Sequence, residues 1–182
     1  MALTKLNYTG QGTIPIASIP TITGAKMPAG SVLQVKQAVL TTSSAAAISG
    51  WYDLTGLSVA ITPTSTSSKI IVKANVFGAV SNAGWLTAIR ILRGSTILSV
   101  GTSGSTADNN STSLAYMAGS TAQGDGKQMT VDILDSPSTT SATTYKVQYY
   151  GGNTGVTTYI NRISTSGSIC TISTITLQEI KG

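Results

Sequence analysis

Apolar residues alternate with polar ones in short runs along most of the chain beyond residue 30. Alternation with a period of two places the apolar side chains on one face of a strand, so each run predicts a half-buried β-strand. Runs rich in Ser, Thr, Gly, Asn and Pro separate them and predict turns. The predicted strands are residues 31–40, 56–62, 69–80, 85–92, 97–100, 113–118, 128–134, 143–150, 156–163 and 169–180. Short strands at this spacing predict a jelly-roll-like antiparallel β-sandwich over residues 31–182.

The first 30 residues follow a different pattern. They contain three of the five prolines and several isolated isoleucines. Proline fixes φ and removes a backbone donor, which disfavours a central strand or a helix, while the isoleucines favour burial. We therefore predict an extended N-terminal arm over residues 1–30 that docks on a neighbouring subunit or another protein; a disordered tail is the alternative. The predicted anchoring residues are Ile14, Pro15, Ile16, Ile19, Pro20 and Ile22.

The composition supports an all-β fold. Of 182 residues, 29 are Thr and 24 are Ser, whereas Glu occurs once. Thr, Val and Ile favour strands, and strong helix formers other than Ala and Leu are sparse. Only 9% of residues are charged, but the hydrophobic share of 41% is enough for a packed core and is unlike a disordered chain.

Several kinds of catalytic site are excluded by residue type. The chain has no His, so it contains no Ser-His-Asp triad and no imidazole metal ligand. Its single cysteine, Cys170, lies between isoleucines, which predicts a small buried residue in a strand. Asp132 and Asp135 are three apart in a predicted strand and so point to opposite faces. We therefore expect no enzymatic activity and no cofactor.

The charge pattern does not favour nucleic acid or membrane. The formal net charge is +5, with a pI near 9.4. The basic residues are scattered along the chain, however, and nucleic-acid binders cluster them among aromatic residues. No apolar run approaches the ~18 residues of a membrane helix, and the N-terminus lacks the apolar core of a signal peptide. We expect synthesis in a cytoplasm without membrane insertion.

Two groups of residues are candidates for contact with a ligand. Trp51 and Trp85, together with Tyr52, could stack against a sugar, although a core of this size would also use its tryptophans. The polar segment 101–113 contains Asp108, Asn109 and Asn110, whose oxygens suit Ca²⁺. Ordinary turn chemistry explains the same Asp and Asn residues. Both interpretations remain open for each group.

Five segments carry a resemblance to a known family. They are residues 8–15 (YTGQGTIP), 26–35 (KMPAGSVLQV), 55–70 (TGLSVAITPTSTSSKI), 92–96 (LRGST) and 134–145, which begins LDSP. The chain resembles virion structural and fibre-like proteins of phages that infect cyanobacteria and other aquatic bacteria. The resemblance spans nearly the whole chain but rests on turns and strands. It implies a β-rich, trimeric, non-catalytic particle component, made in the host cytoplasm and located in the virion.

The position on the particle is open between two interpretations. The chain shows no heptads, collagen-like repeat or β-helix period from which a long shaft could be built. An arm with one compact domain favours a capsid decoration or head-fibre protein that binds a capsid protein through the arm. The alternative is a tail fibre or receptor-binding knob that contacts tail proteins and a host surface glycan.

Overall fold

The computed structural model describes residues 23–98, 100–101, 110–117, 126–163 and 170–182, and these form antiparallel β-structure with one 3₁₀ turn at Gly24–Lys26. The all-β prediction is confirmed. Residues 1–22 of the predicted arm lie outside the described residues. The strands within the described residues are β1 (Val32–Leu40), β2 (Ser44–Ile61), β3 (Lys69–Val80), β4 (Trp85–Arg93), β5 (Thr96–Leu98), β6 (Ser113–Met117), β7 (Gly126–Asp135), β8 (Thr143–Ile160) and β9 (Ser173–Ile180).

The strands form two layers with jelly-roll order. One sheet has the order β1-β9-β3-β7, and the other has the order β2-β8-β4-β6. The short strand β5 pairs with the part of β4 beyond β6. The two sheets are joined where Gly78–Val80 pair with the end of β8, Thr158–Ile160. This order is that of the eight-stranded jelly roll, with β5 as an addition, so the predicted architecture is confirmed.

The core lies between the two sheets, because both present apolar side chains at alternate positions. Burial alternates without interruption along β9 from Ser173 to Ile180. Aliphatic side chains dominate the buried cluster, joined by Tyr145 and Tyr149 of β8. Burying side chains of this size contributes roughly 1.5–3 kcal/mol each to the free energy of unfolding. The largest fully buried aliphatic residues and methionines are Leu57, Ile61, Ile70, Ile89, Ile91, Met117, Met129, Ile160, Ile175 and Leu177.

Two strands differ from their predicted extents. The predicted strands 143–150 and 156–163 form one strand, β8, and β2 begins at Ser44 rather than at residue 56. The pairing of β2 with β8 is irregular at two places, beyond Ala47 and beyond Asp53. Consecutive exposed residues at these bulges interrupt the alternation, while the backbone continues. Gly56 adopts a φ of +95° in the second bulge, where a Cβ would lie 2.9 Å from Leu40 Cδ1.

A buried asparagine fixes one end of the sandwich. Asn161 follows β8 with a φ of 60° and is fully buried. Its Nδ2 donates to the carbonyls of Leu40 (2.9 Å) and Thr42 (3.0 Å), and its Oδ1 accepts from Ser173 Oγ (2.5 Å). Its backbone N–H donates to the Phe77 carbonyl. One side chain and its backbone therefore connect the turn after β1 with β3, β8 and β9.

A buried carboxylate fixes the opposite end of β9. Glu179, the only glutamate, accepts from Gln34 Nε2 (2.6 Å), the Thr64 N–H (2.6 Å) and hydroxyl (2.7 Å), and Ser68 Oγ (2.6 Å). Burial alone raises the pKa of Glu179, but the hydrogen bonds from Ser68, Gln34 and Thr64 outweigh it and hold the pKa below its ordinary value. The carboxylate thus attaches the β2–β3 turn to β1 and β9.

Replacing Asn161 tests the first of these connections. We expect Asn161→Ala to lower the free energy of unfolding by about 3 kcal/mol, because it removes the buried hydrogen bonds and keeps a positive φ on a residue with a Cβ. Asn161→Gly should cost about 1 kcal/mol less, since glycine adopts this φ freely. Urea unfolding followed by circular dichroism measures both. A loss below about 1 kcal/mol for the alanine variant would contradict the role assigned to Asn161.

Replacing Glu179 tests the second connection, the one between the β2–β3 turn and strands β1 and β9. The folded pKa lies below the unfolded pKa, so the ionised group stabilises the protein above the unfolded pKa, and this stabilisation is lost as pH falls through the folded pKa. We expect Glu179→Gln to cost about 2 kcal/mol near pH 7 and less near pH 3. Urea unfolding at both pH values is the measurement. A cost that stays constant with pH would contradict an ionised Glu179.

Candidate functional site

The outer face of the β2-β8-β4-β6 sheet carries a row of apolar and aromatic side chains. Along β8, residues 145, 147 and 149 are buried, so residues 146, 148 and 150 point outward. The pairing places Trp51 of β2 beside Tyr150, Tyr150 beside Ala88 of β4, and Ala88 beside Leu114 of β6. This row crosses all four strands. A second cross-strand pair, Leu86 of β4 and Tyr116 of β6, lies next to this row.

Aromatic contacts hold the β2 end of this row. The rings of Trp51 and Tyr150 are 5.2 Å apart at an angle of 52°, and the Arg90 guanidinium carbon lies 4.3 Å from the centre of the Trp51 ring. Such cation–π contacts contribute about 0.5–1 kcal/mol at exposed sites. Beside these rings is a shallow groove of about 160 Å³. It is lined by Trp51, Leu86, Ala88, Ser111, Leu114 and Tyr150.

A polar row runs beside the aromatic one. Arg90 Nε donates to Gln148 Oε1 (2.8 Å), and Gln148 Nε2 donates to Asp53 Oδ1 (2.7 Å). Lys146 Nζ donates to the other oxygen of Asp53 at 2.7 Å. The hydrogen bond from Lys146, followed by that from Gln148, holds the pKa of Asp53 below its ordinary value. The groove is therefore bordered on one side by an ordered set of donors and acceptors.

Of the residues expected to face a ligand, only Trp51 lines this groove. Trp85 packs against the core cluster, and its ring lies beside Gly152, where a Cβ would come within 3.2 Å of Trp85 Cε3. Asn110 is partly buried just before β6 and does not line the groove. Asp108 and Asn109 lie outside the described residues. So do the anchoring candidates Ile14, Pro15, Ile16, Ile19, Pro20 and Ile22.

The aspartates of β7 are used in ion pairs on opposite faces, as the sequence predicts. Asp132 pairs with Lys73 at 3.0 Å on the outer face. Asp135 points inward, where it accepts from Arg93 Nη1 (2.8 Å) and the Tyr145 hydroxyl (2.6 Å). Burial, followed by the hydrogen bond to Asp135, raises the pKa of the Tyr145 hydroxyl above its ordinary range. Together these side chains fasten β4, β7 and β8 to one another.

The metal-ligating residue types do not converge in the part of the chain that the structure describes. No group of three or more His, Cys, Asp or Glu side chains there could hold a metal ion. Cys170, expected to be buried, is exposed, because it lies before β9 in an isolated bridge with Arg162. Among the same residues, no helix has the length and apolar character needed to cross a membrane.

Sequence reasoning missed Leu86, Ala88 and Leu114 of the groove, and Arg90 and Gln148 beside it. Leu86, Ala88 and Arg90 come from β4, Gln148 from β8 and Leu114 from β6. Their alternation shows which residues share a face, and that signal was present in the sequence. Which strands are neighbours is set by pairing across long sequence separations, so the row across the sheet required the structure.

Comparisons with known proteins give weak likenesses only. No family model matches the chain, and no curated protein matches it. The structure of infectious bursal disease virus, Gx strain, is similar with a TM-score of 0.38 and 17% identity over 90% of this chain and 42% of that chain. The crystal structure of the infectious bursal disease virus VP2 subviral particle has a TM-score of 0.35 and 18% identity, with the same coverage. The chain thus spans less than half the length of either.

The two tryptophans provide a test of the assigned environments. We expect Trp51→Ala to lower the free energy of unfolding by no more than about 1 kcal/mol, because only contacts on the outer face are lost. Trp85→Ala should cost about 2–3 kcal/mol, since Trp85 packs against the core. Urea unfolding of both variants gives the comparison. Equal costs would contradict the placement of Trp51 on an outer face.

Proposed function

We propose that this chain is a non-enzymatic surface protein of a phage particle, an oligomeric capsid decoration or head-fibre protein fastened by its N-terminal arm. The observation that carries the proposal is the row of Trp51, Tyr150 and Leu114, with Tyr116 beside it, on the outer face of a jelly roll, a fold common in viral capsid and lectin domains. Large exposed apolar patches mark surfaces that other molecules cover. The resemblance to phage virion proteins along nearly the whole chain supports a location on a phage particle.

The segment that leads from the arm into the domain suits an anchoring role. Gly30 N–H donates to the Lys181 carbonyl (2.8 Å), and Lys181 N–H donates to the Ser31 carbonyl (2.8 Å). Lys181 Nζ also donates to the Met27 carbonyl. Residues 27–31 are thereby tied to the chain just after β9, which is itself paired on both sides. A force on the arm would therefore be transmitted to the β1-β9-β3-β7 sheet.

A second candidate function is recognition of a host surface glycan by a tail fibre or receptor-binding knob. The groove beside Trp51 favours it, because its lining combines the rings of Trp51 and Tyr150 with the Ser111 hydroxyl, groups that can stack on a sugar and bond its hydroxyls. A volume of about 160 Å³ equals roughly five water molecules, which is the scale of one sugar ring. Binding of the wild type to a glycan array that is lost in Trp51→Ala would support this function.

Locating the protein on intact particles tests the principal proposal. We expect electron cryomicroscopy to show its density distributed over the capsid shell. Density confined to the tail would favour the fibre interpretation, and a particle that lacks the protein would contradict both.

Incorporation into particles tests the arm. The cut should fall before Thr23, because Gly30 and Lys181 are hydrogen-bonded, so we expect deletion of residues 1–22 to leave a folded domain that no longer joins particles. Immunoblots of purified particles measure the amount incorporated. A second variant keeps all residues but replaces the isoleucines of the arm by serine, namely Ile14, Ile16, Ile19 and Ile22. We expect it also to be absent from particles. Incorporation of both variants at the wild-type level would contradict the arm as the anchor.

A further inference from the structure

A cavity of about 290 Å³ opens at the edge of the sandwich where β1 and β2 come together. Each of these strands is the outermost strand of its own sheet, since β1 pairs only with β9 and β2 only with β8. The end of β1 and the turn after it line one side, residues 53–55 of the second β2 bulge line another, and Tyr149 of β8 lines a third. We name it the Tyr149 cavity. It shares no lining residue with the groove beside Trp51.

Contacts outside the Tyr149 cavity hold its walls in place. Asn161 donates to the carbonyls of Leu40 and Thr42, so the turn after β1 is fixed. Leu40 also packs closely against Gly56, where a Cβ would lie 2.9 Å from Leu40 Cδ1. A ligand that enters the cavity therefore meets walls that are already formed, which reduces the ordering cost of binding.

The hydroxyl of Tyr149 is the group in this cavity that points to a ligand. Tyr149 is only 9% exposed, and it lines the cavity. Among the residues that the structure describes, none is hydrogen-bonded to this hydroxyl. The other buried tyrosine of β8, Tyr145, donates instead to Asp135. Because buried polar groups nearly always have a partner, a buried hydroxyl without one at the wall of a cavity indicates a partner from outside the chain.

Three further hydroxyls line the cavity, those of Thr42, Ser44 and Thr55. Within the described part of the chain, none of them is hydrogen-bonded either. A hydroxyl can both donate and accept a hydrogen bond. Tyr149 keeps this capacity, because burial, followed by the nearby Tyr52, raises the pKa of its hydroxyl and holds it protonated. The cavity thus offers four hydroxyls that can each donate or accept.

The rest of the lining favours a neutral ligand with some apolar surface. Leu40 and Leu54 add aliphatic side chains, and the described residues that line the cavity include no basic one. The carboxylate of Asp53 is already paired with Lys146 on the outer face. An anionic ligand would therefore meet no cation in the lining, and a cationic one would compete with Lys146.

A sugar ring combines these properties. Its hydroxyls project around its edge, and its C–H groups form an apolar face. The cavity volume corresponds to about ten water molecules at ~30 Å³ each, which is the scale of one sugar ring with its substituents. Few other neutral molecules of this size carry so many hydroxyls next to an apolar face.

We infer that the Tyr149 cavity binds one neutral sugar ring, with the Tyr149 hydroxyl as its buried hydrogen-bond partner. The hydroxyls of Thr42, Ser44 and Thr55 bond the exposed edge of the ring, and its C–H face packs on the leucines. This inference goes beyond the proposed function, because the site is separate from the groove beside Trp51 and would bind a sugar at any position on a particle.

Nuclear magnetic resonance of the ¹⁵N-labelled full-length protein tests the site. The probes are methyl glucoside, methyl galactoside, methyl mannoside and N-acetylglucosamine, each added to about 50 mM, well above an expected Kd of about 1 mM. We expect at least one of them to shift the amide signals of Thr42, residues 53–55 and Tyr149. No shift with any probe, or shifts centred on Trp51 and Leu114, would overturn the inference.

Removing single hydroxyls tests the residues assigned to the site. Tyr149→Phe should raise the Kd about tenfold, because it removes one hydrogen bond to the sugar. It should not lower the free energy of unfolding, since no hydrogen bond within the described chain is lost. Thr55→Val removes an exposed lining hydroxyl and should also raise the Kd. The control is Tyr150→Phe, the next residue of β8, which faces outward and should leave the Kd unchanged.

These variants can each contradict the assignment. An unchanged Kd in Tyr149→Phe, or an equal rise in Tyr150→Phe, would overturn the role of the Tyr149 hydroxyl. Destabilisation of Tyr149→Phe in urea unfolding would show that this hydroxyl has a partner within the protein.

Two further probes test the class of ligand. Cyclohexanol has a ring of similar size with a single hydroxyl, and we expect it to bind at least about tenfold more weakly than the best sugar. The uronic acid with the same ring configuration as that sugar should also bind more weakly, because it carries a carboxylate. Tighter binding of cyclohexanol would overturn recognition through hydroxyls, and tighter binding of the uronic acid would overturn a neutral ligand. Incorporation into particles is measured separately, so failure here leaves the proposed function standing.

Discussion

The register of β8 is the constraint on which the rest of the structure depends. This strand pairs with β2 and β4 in one sheet and with β3 of the other, so it joins the two layers. A shift by one residue would exchange its buried tyrosines Tyr145 and Tyr149 with the outward Lys146 and Tyr150. Core packing and the aromatic row are therefore two results of the same register. Asn161, immediately after β8, fixes where that strand ends.

Buried polar groups define the two ends of β9, while apolar packing fills the space between them. Ser173 is hydrogen-bonded to Asn161 at one end, and Glu179 accepts from the β2–β3 turn at the other. A shift by two residues keeps the same set of side chains on the buried face, whereas hydrogen bonds between particular groups would be lost. The two polar connections therefore fix the positions of turns that hydrophobic burial alone would leave free. The outer face of the β2-β8-β4-β6 sheet carries Trp51, Tyr150 and Tyr116, whereas the exposed apolar residues of β1 on the other sheet are valines.

Most strands and the fold class follow from local pattern, but the candidate site does not. Period-two alternation predicts that Ile70 and Val72 share one face of their strand. It also predicts that Asp132 and Asp135 lie on opposite faces of theirs, and the structure agrees on both. It missed the first half of β2, where Ala45–Ala47 lack a polar-apolar contrast. It predicted a buried Cys170 from its isoleucine neighbours, although the strand begins three residues later. The contact of Arg90 with Trp51 joins residues 39 apart, and no local signal encodes such a meeting.

The central position of β9 determines when the first sheet can assemble. β9 lies between β1 and β3, and these two strands do not pair with each other. During synthesis, β1 must therefore wait for a partner whose residues, such as Ile180 opposite Val32, are made almost 150 positions later. Closure of such a distant pair is slow relative to local contacts. Until then the edge of β1 has no partner, and nascent copies on the same message would hold that edge within reach of one another.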